Sequence, residues 1–119
     1  MSKSQVIKGE EFKERVEMLS AEVMKEVIAI FKEAYPERKE NIKKAINEDS
    51  AKNLEFEIHA LKNDLSQFAA NELFENTEKL LTKVRQQKTT DIDAEIDEIE
   101  NTIEQKLLPE LENWNKENR

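Results

Sequence analysis

Ile58-His59-Ala60-Leu61-Lys62-Asn63-Asp64-Leu65-Ser66-Gln67-Phe68-Ala69-Ala70 holds the one histidine of the chain inside its clearest helical pattern. With Leu54 just upstream, Leu54, Ile58, Leu61, Leu65 and Phe68 recur in steps of three and four, the spacing of one buried stripe on an α-helix. On a wheel of about 100° per residue those five side chains share a narrow sector, and His59 falls roughly 140° from its centre. That angle excludes a histidine satisfied inside the core. A plain solvated histidine and a reactive one remain. Phe56, Ala60, Asn63 and Gln67 lie most nearly opposite the stripe. An aromatic ring and an alanine there form either an apolar docking patch or the contact surface of another element, such as the N-terminal segment.

The same periodicity runs outward in both directions. Upstream, Val16, Leu19, Val23, Val27, Ile30 and Ala34 predict a stripe over Glu10–Ala34. Ser20 is placed to cap a break near Leu19, so one helix or two fit. Tyr35-Pro36 should end that segment, because the residue before proline avoids the α region. A second helix over Pro36–Asn47 turns Ile42, Ala45 and Ile46 inward, and Asp49 or Ser50 caps the helix that carries His59. Downstream, Asn71–Gln87 carries Leu73, Leu80, Leu81 and Val84, with Phe74 widening the apolar face. After Thr89-Thr90, with a capping box expected from Thr90 and Asp93, the row Ile92, Ile96, Ile99, Ile103, Leu107, Leu111 and Trp114 begins. Pro109 should kink or restart this last helix. Short polar turns between such patterns favour antiparallel neighbours. The expected fold is all-α: an antiparallel up-and-down four-helix bundle with an additional terminal helix, one domain over residues 1–119, and a flexible tail over 1–9.

Composition agrees. One glycine and two prolines among 119 residues cannot punctuate a sandwich or barrel. A formal net charge of -8 disfavours nucleic-acid backbones as partners. The absence of cysteine removes disulfides, zinc ribbons and thiol nucleophiles. The longest wholly apolar run, Val27–Phe31, is far too short to span a bilayer, and the start lacks the apolar core of a signal peptide. A cytoplasmic protein without membrane insertion is expected. Acidic residues such as Asp91, Asp93 and Glu95 read as a solvated helix start, so no metal site is expected.

The chemistry that suits an exposed His59 is phosphoryl transfer. A neutral imidazole nitrogen is a competent nucleophile near pH 7, its unperturbed pKa being about 6.5. Phosphoryl oxygens that gather charge in the transition state favour a cation close by, and Lys62 sits one turn away. No glycine-rich loop or P-loop accompanies them, so no autonomous kinase activity is expected.

At these residues the chain resembles the histidine-containing phosphotransfer (HPt) domains of two-component phosphorelays. The family pattern, His-x-Leu/Ile-Lys-Gly and then an apolar residue followed by Gly, reads here as His59-Ala60-Leu61-Lys62-Asn63 and Phe68-Ala69. Phe31 to Arg38, with its Pro36, resembles the helix junction upstream, and Leu73–Leu81 the helix that follows. The similarity spans about Val16–Gln87. The resemblance implies that His59 is the phosphoacceptor and that Lys62 stabilises the phosphoryl group. It implies a docking surface of Glu55, Phe56, Ala60, Asn63, Ser66 and Gln67 for receiver domains, one in a hybrid sensor histidine kinase and one in a response regulator. Mg2+ would belong to the receiver, with no cofactor on this chain. Two positions depart from the pattern. Asn63 replaces the Gly that leaves room beside the histidine, and Ala69 replaces a later Gly expected to allow close helix contact.

Two other functional classes fit the same residues. A degenerate HPt-like module would bind receivers without carrying phosphate, which Asn63 suggests. A structural, oligomerising bundle would pair copies through the Ile92–Trp114 stripe. Intramolecular packing of that stripe is the simpler use of it and leaves a monomer.

Overall fold

The computed structural model describes residues 6–88 and 90–118. Helices α1 (Gly9–Leu19), α2 (Ala21–Asn47) and α3 (Ala51–Leu65) lead into a 3-10 turn at Ser66–Phe68. Helix α4 (Asn71–Arg85) follows, then α5 (Ile92–Thr102) and α6 (Leu108–Glu117), which a π turn at Ile103–Leu107 joins into one rod. No strand occurs among the described residues. Helix α2 packs on α3, α3 on α4, α4 on α5, and α6 back on α2, which closes a four-helix ring. Cross-helix pairs show the directions. Lys32 reaches Glu112 while Lys39 reaches Glu104, so α2 and the α5–α6 rod run antiparallel. The expected all-α bundle is the observed one.

Four local expectations change. Ser20 does break the first segment, with φ 91° and its hydroxyl accepting from the Val23 N–H at 3.2 Å. The buried row of α2, however, is Met24, Ile28, Phe31 and Tyr35. Val23, Ile30 and Leu19, expected inside, are exposed, and Val16, Val27 and Ala34 are half-buried. Both rows have helical spacing; the one with methionine and two aromatic side chains offers more apolar area to bury, and it wins the interior.

Helix α2 also continues through Pro36 instead of ending there. A mid-helix proline costs about 3 kcal/mol, because it lacks the N–H that would bond to the carbonyl four residues back. Here Pro36 lies on the exposed face, where water can reach the freed carbonyl of Lys32. Phe31 and Tyr35 before it and Ile42 and Ala45 after it are all buried, so burial holds both halves on one axis.

The capping box of Thr90 and Asp93 does not form. Asp91 occupies the cap position in the left-handed region at φ 64° and makes no side-chain cap bond. Of the tail expected over 1–9, residues 1–5 lie outside the described residues. From Val6 onward the chain is held, the Val6 and Ile7 N–H groups donating to the Glu110 carboxylate at 2.9 and 3.0 Å.

The last helix keeps its expected row, with Ile92, Ile96, Ile99, Ile103, Leu107 and Leu111 all buried. Three successive steps of four after Ile99 would drift about 40° each on an ideal helix. The π turn takes up the excess residue and returns Leu107 and Leu111 to the core, just ahead of Pro109. Because this stripe faces inward, it is not a free surface for pairing copies. Helix α1 closes one end of the bundle, where Phe12 meets Trp114 edge-on at 5.5 Å and the Arg15 guanidinium donates to the Ser66 carbonyl.

The π turn also aims Glu104 at α2. Its carboxylate accepts from the Lys39 ammonium and, at 2.9 Å, from the Tyr35 hydroxyl. The Lys39 bond, more than the Tyr35 bond, holds this carboxyl below its ordinary value of 4.5 against the effect of burial. A lowered pKa in the folded state adds stability above the ordinary value, and that stability is lost as pH falls. Glu104→Gln is therefore expected to lower the urea midpoint at neutral pH, with the gap to the parent narrowing as pH falls below the ordinary carboxyl range and through the lowered value in the folded state. A gap that stayed constant across that range would show that the carboxylate charge contributes nothing.

Candidate functional site

Helix α3 is capped at its start by Ser50, whose hydroxyl accepts from the Asn53 N–H at 3.2 Å. Leu54, Ile58, Leu61 and Leu65 are buried as the periodicity requires. Two sets of cross-helix contacts then fix its rotation. On one flank Arg38 of α2 bonds Glu57 at 2.8 Å and approaches Asp64 at 3.6 Å. On the other, Arg85 of α4 bonds Glu55 at 2.8 Å, and the Lys62 ammonium stands 5.8 Å from the centre of the Phe74 ring. What is left between the flanks points to solvent.

His59 is exposed on that outward face. By helix geometry Glu55, Lys62 and Ser66 lie with it toward α4, while Phe56, Ala60 and Gln67 lean toward α2 and Asn63 stands between. Of the eight predicted residues, His59, Phe56, Asn63, Ser66 and Gln67 are exposed, and Glu55, Ala60 and Lys62 are half-buried. Phe56 is 66% exposed, so it covers no other helix, and the N-terminal segment packs at the far end of α3, near Ser66 and Ala69. The Asn63 carbonyl accepts from the Ser66 hydroxyl at 2.6 Å, and both side chains are exposed. Beside this face, burial raises the Asp64 pKa, with the Arg38 charge working against it.

Ala69 is buried and has a backbone role besides the close helix contact expected of that position. It sits in the left-handed region at φ 55°, ψ 30°, and its carbonyl accepts from the Lys8 N–H at 3.0 Å. Glycine reaches that conformation without strain, which accounts for a glycine there on backbone grounds.

Two groups of residues were not readable in advance, the first of them at the site. Phe74 and Arg85 reach it from α4, and no spacing within one helix reveals a partner on another. Elsewhere, Met18 and Leu19 of α1 and Val23 and Ile30 of α2 are exposed apolar side chains, with Met18 at 84% and Ile30 at 66% exposure. The available signal was a second apolar row on α2, one position along from the first.

The Hpt domain family model matches residues 26–108, from within α2 to the start of α6. The match begins later and ends further on than the similarity seen in the sequence, and it contains all of α3. No curated protein and no solved structure matches the chain. A ring of antiparallel helices, an outward histidine on the second of them and a family match over most of the length agree with one another, and on that match the chain belongs to the Hpt domains, the phosphotransfer modules of two-component phosphorelays.

Proposed function

We propose that His59 takes a phosphoryl group from the phospho-aspartate of one receiver domain and gives it to the aspartate of another. The observation that carries this reading is the exposed imidazole on α3, inside the family match, with Lys62 one turn on. The lone pair of a neutral ring nitrogen attacks phosphorus. The bond from phosphorus to the aspartate oxygen breaks, and the carboxylate leaves with the electron pair. The N–H proton on the other ring nitrogen is then given up to water, leaving the ring of the phosphoramidate neutral. Lys62 offers positive charge to the equatorial oxygens, and Mg2+ comes with the receiver. Onward transfer reverses these steps on a second carboxylate.

Phe56, Ala60, Asn63 and Gln67, with Glu55 and Ser66 at the edges, supply a surface for the receiver to rest on. The test is incubation with a receiver carrying labelled phospho-aspartate. Acid-labile, alkali-stable label on this chain is the expected result, and its absence with competent donors removes the reading.

Asn63 motivates the second reading, a module that docks receivers without carrying phosphate. The exposed amide stands beside His59 where the family pattern has no side chain. If Asn63 leaves the imidazole accessible, Asn63→Gly should change the transfer rate by less than about threefold, well under the tenfold that 1.4 kcal/mol represents. A gain of a hundredfold would instead show that the native residue obstructs the chemistry.

A further inference from the structure

We propose that Phe74 is a positioning residue for Lys62, holding its ammonium on the α4 flank of His59 so that its charge is available to an incoming phosphoryl group. This rests on the reading of His59 as phosphoacceptor and adds to it a residue of α4.

The buried row of α4 is Leu73, Thr77, Leu80, Leu81 and Val84. Phe74 lies beside that row and is only partly buried. Its ring is directed at α3, where the Lys62 ammonium stands 5.8 Å from the ring centre. The face of an aromatic ring carries partial negative charge and attracts a cation within about 6 Å.

Lysine otherwise sweeps a wide volume on its four-carbon stem, and ordering it has an entropic cost. A ring on one side narrows that volume before any ligand arrives. The kind of partner matters as much as its presence. Arg38 and Arg85, the cations that reach α3 from the flanking helices, are both taken by carboxylates, with Glu57 and Asp64 on one side and Glu55 on the other. Among the described residues Lys62 is in no ion pair. A carboxylate would neutralise the ammonium, whereas a ring restrains it and leaves its charge. The site thus keeps one unneutralised cation within a turn of His59, on the side that the ring defines.

The experiment is a double-mutant cycle on transfer from a phosphorylated receiver, joined to a measurement that needs no phosphate. Lys62→Met should slow transfer roughly tenfold, below the hundredfold or more of a water-excluded donor. Phe74→Leu should slow it about two- to fivefold, the range of an exposed cation–π contact. Phe74→Tyr, which keeps the ring, should transfer like the parent. In the Lys62→Met background Phe74→Leu should have no further effect. By NMR, the ε-methylene protons of Lys62 should show an upfield ring-current shift in the parent that vanishes in Phe74→Leu.

Equal slowing by Phe74→Leu in both backgrounds would make the role of the ring purely structural and overturn the proposal. Unchanged or faster transfer in Phe74→Leu would overturn it as well, the latter by showing that the ring competes with phosphate for the ammonium. If the parent itself took no phosphate while the ring-current shift was present, the phosphoacceptor reading would fail first and this inference with it. With parental transfer intact, only the inference is at stake.

Discussion

His59→Gln takes up no acid-labile phosphate from a labelled receiver, while its melting temperature stays within about 2 °C of the parent. The loss is expected to be total because His59 is the one imidazole of the chain, and lysine and arginine, whose phosphoramidates would also be acid-labile, are protonated near pH 7 and offer no free lone pair to phosphorus. Glutamine keeps polarity and length but delocalises its nitrogen lone pair into the amide, leaving nothing to attack phosphorus. Stability is spared for a separate reason. His59 is exposed, and a surface substitution away from caps and buried networks usually moves stability by no more than about 0.5 kcal/mol. Glutamine is also at least as good a helix former as histidine. The experiment therefore separates chemistry from folding. Acid-labile label persisting in the variant at the parental level would remove His59 from the mechanism.

Helix α3 was legible in the sequence because it carries a single apolar row. Leu54, Ile58, Leu61, Leu65 and Phe68 have no competing set, so the rotation of the helix and the outward direction of His59 follow from spacing alone. Helix α2 carries two. Val23, Val27, Ile30 and Ala34 lie one position before Met24, Ile28, Phe31 and Tyr35, and each satisfies the same periodicity. Spacing does not choose between them; the larger apolar area of the second row does, together with its neighbours: Phe31 meets Phe68, and the Tyr35 hydroxyl meets Glu104. Pro36 misleads for a related reason, since local preference ends a helix there while burial on both sides continues it. The site divides the same way. His59, Lys62 and the surface around them belong to one helix and could be placed from it. Phe74 and Arg85 could not, because their positions depend on how α3 and α4 are registered, a property of packing rather than of either segment.

Phe68→Ala should produce the largest loss of stability, and comparison with Phe56→Ala shows why the residue type alone does not decide it. Both are phenylalanines near the ends of the histidine helix. Phe68 is 0% exposed and its ring centre lies 5.3 Å from that of Phe31, whereas Phe56 is 66% exposed. Removing a buried phenyl ring forfeits its transfer free energy and leaves a cavity, together about 3–5 kcal/mol. For a chain of this size that corresponds to a fall in melting temperature of roughly 10–20 °C. Phe56→Ala should shift stability by less than about 0.5 kcal/mol. The position of Phe68 makes the loss more than local. It ends the 3-10 turn Ser66–Phe68, and on either side of it the backbone is tied to the N-terminal segment, Ser66 through Arg15 and Ala69 through Lys8. Emptying the site beneath that turn should loosen the attachment of α1 along with the contact to α2. Faster amide exchange in α1 than in the middle of α4 would report this. Loss of less than about 1 kcal/mol would mean that the turn collapses onto the vacated space, the low end of what large-to-small substitutions cost. Below its melting transition the variant should still carry phosphate on His59, since the inward row of Leu54, Ile58, Leu61 and Leu65 that turns the imidazole outward is untouched.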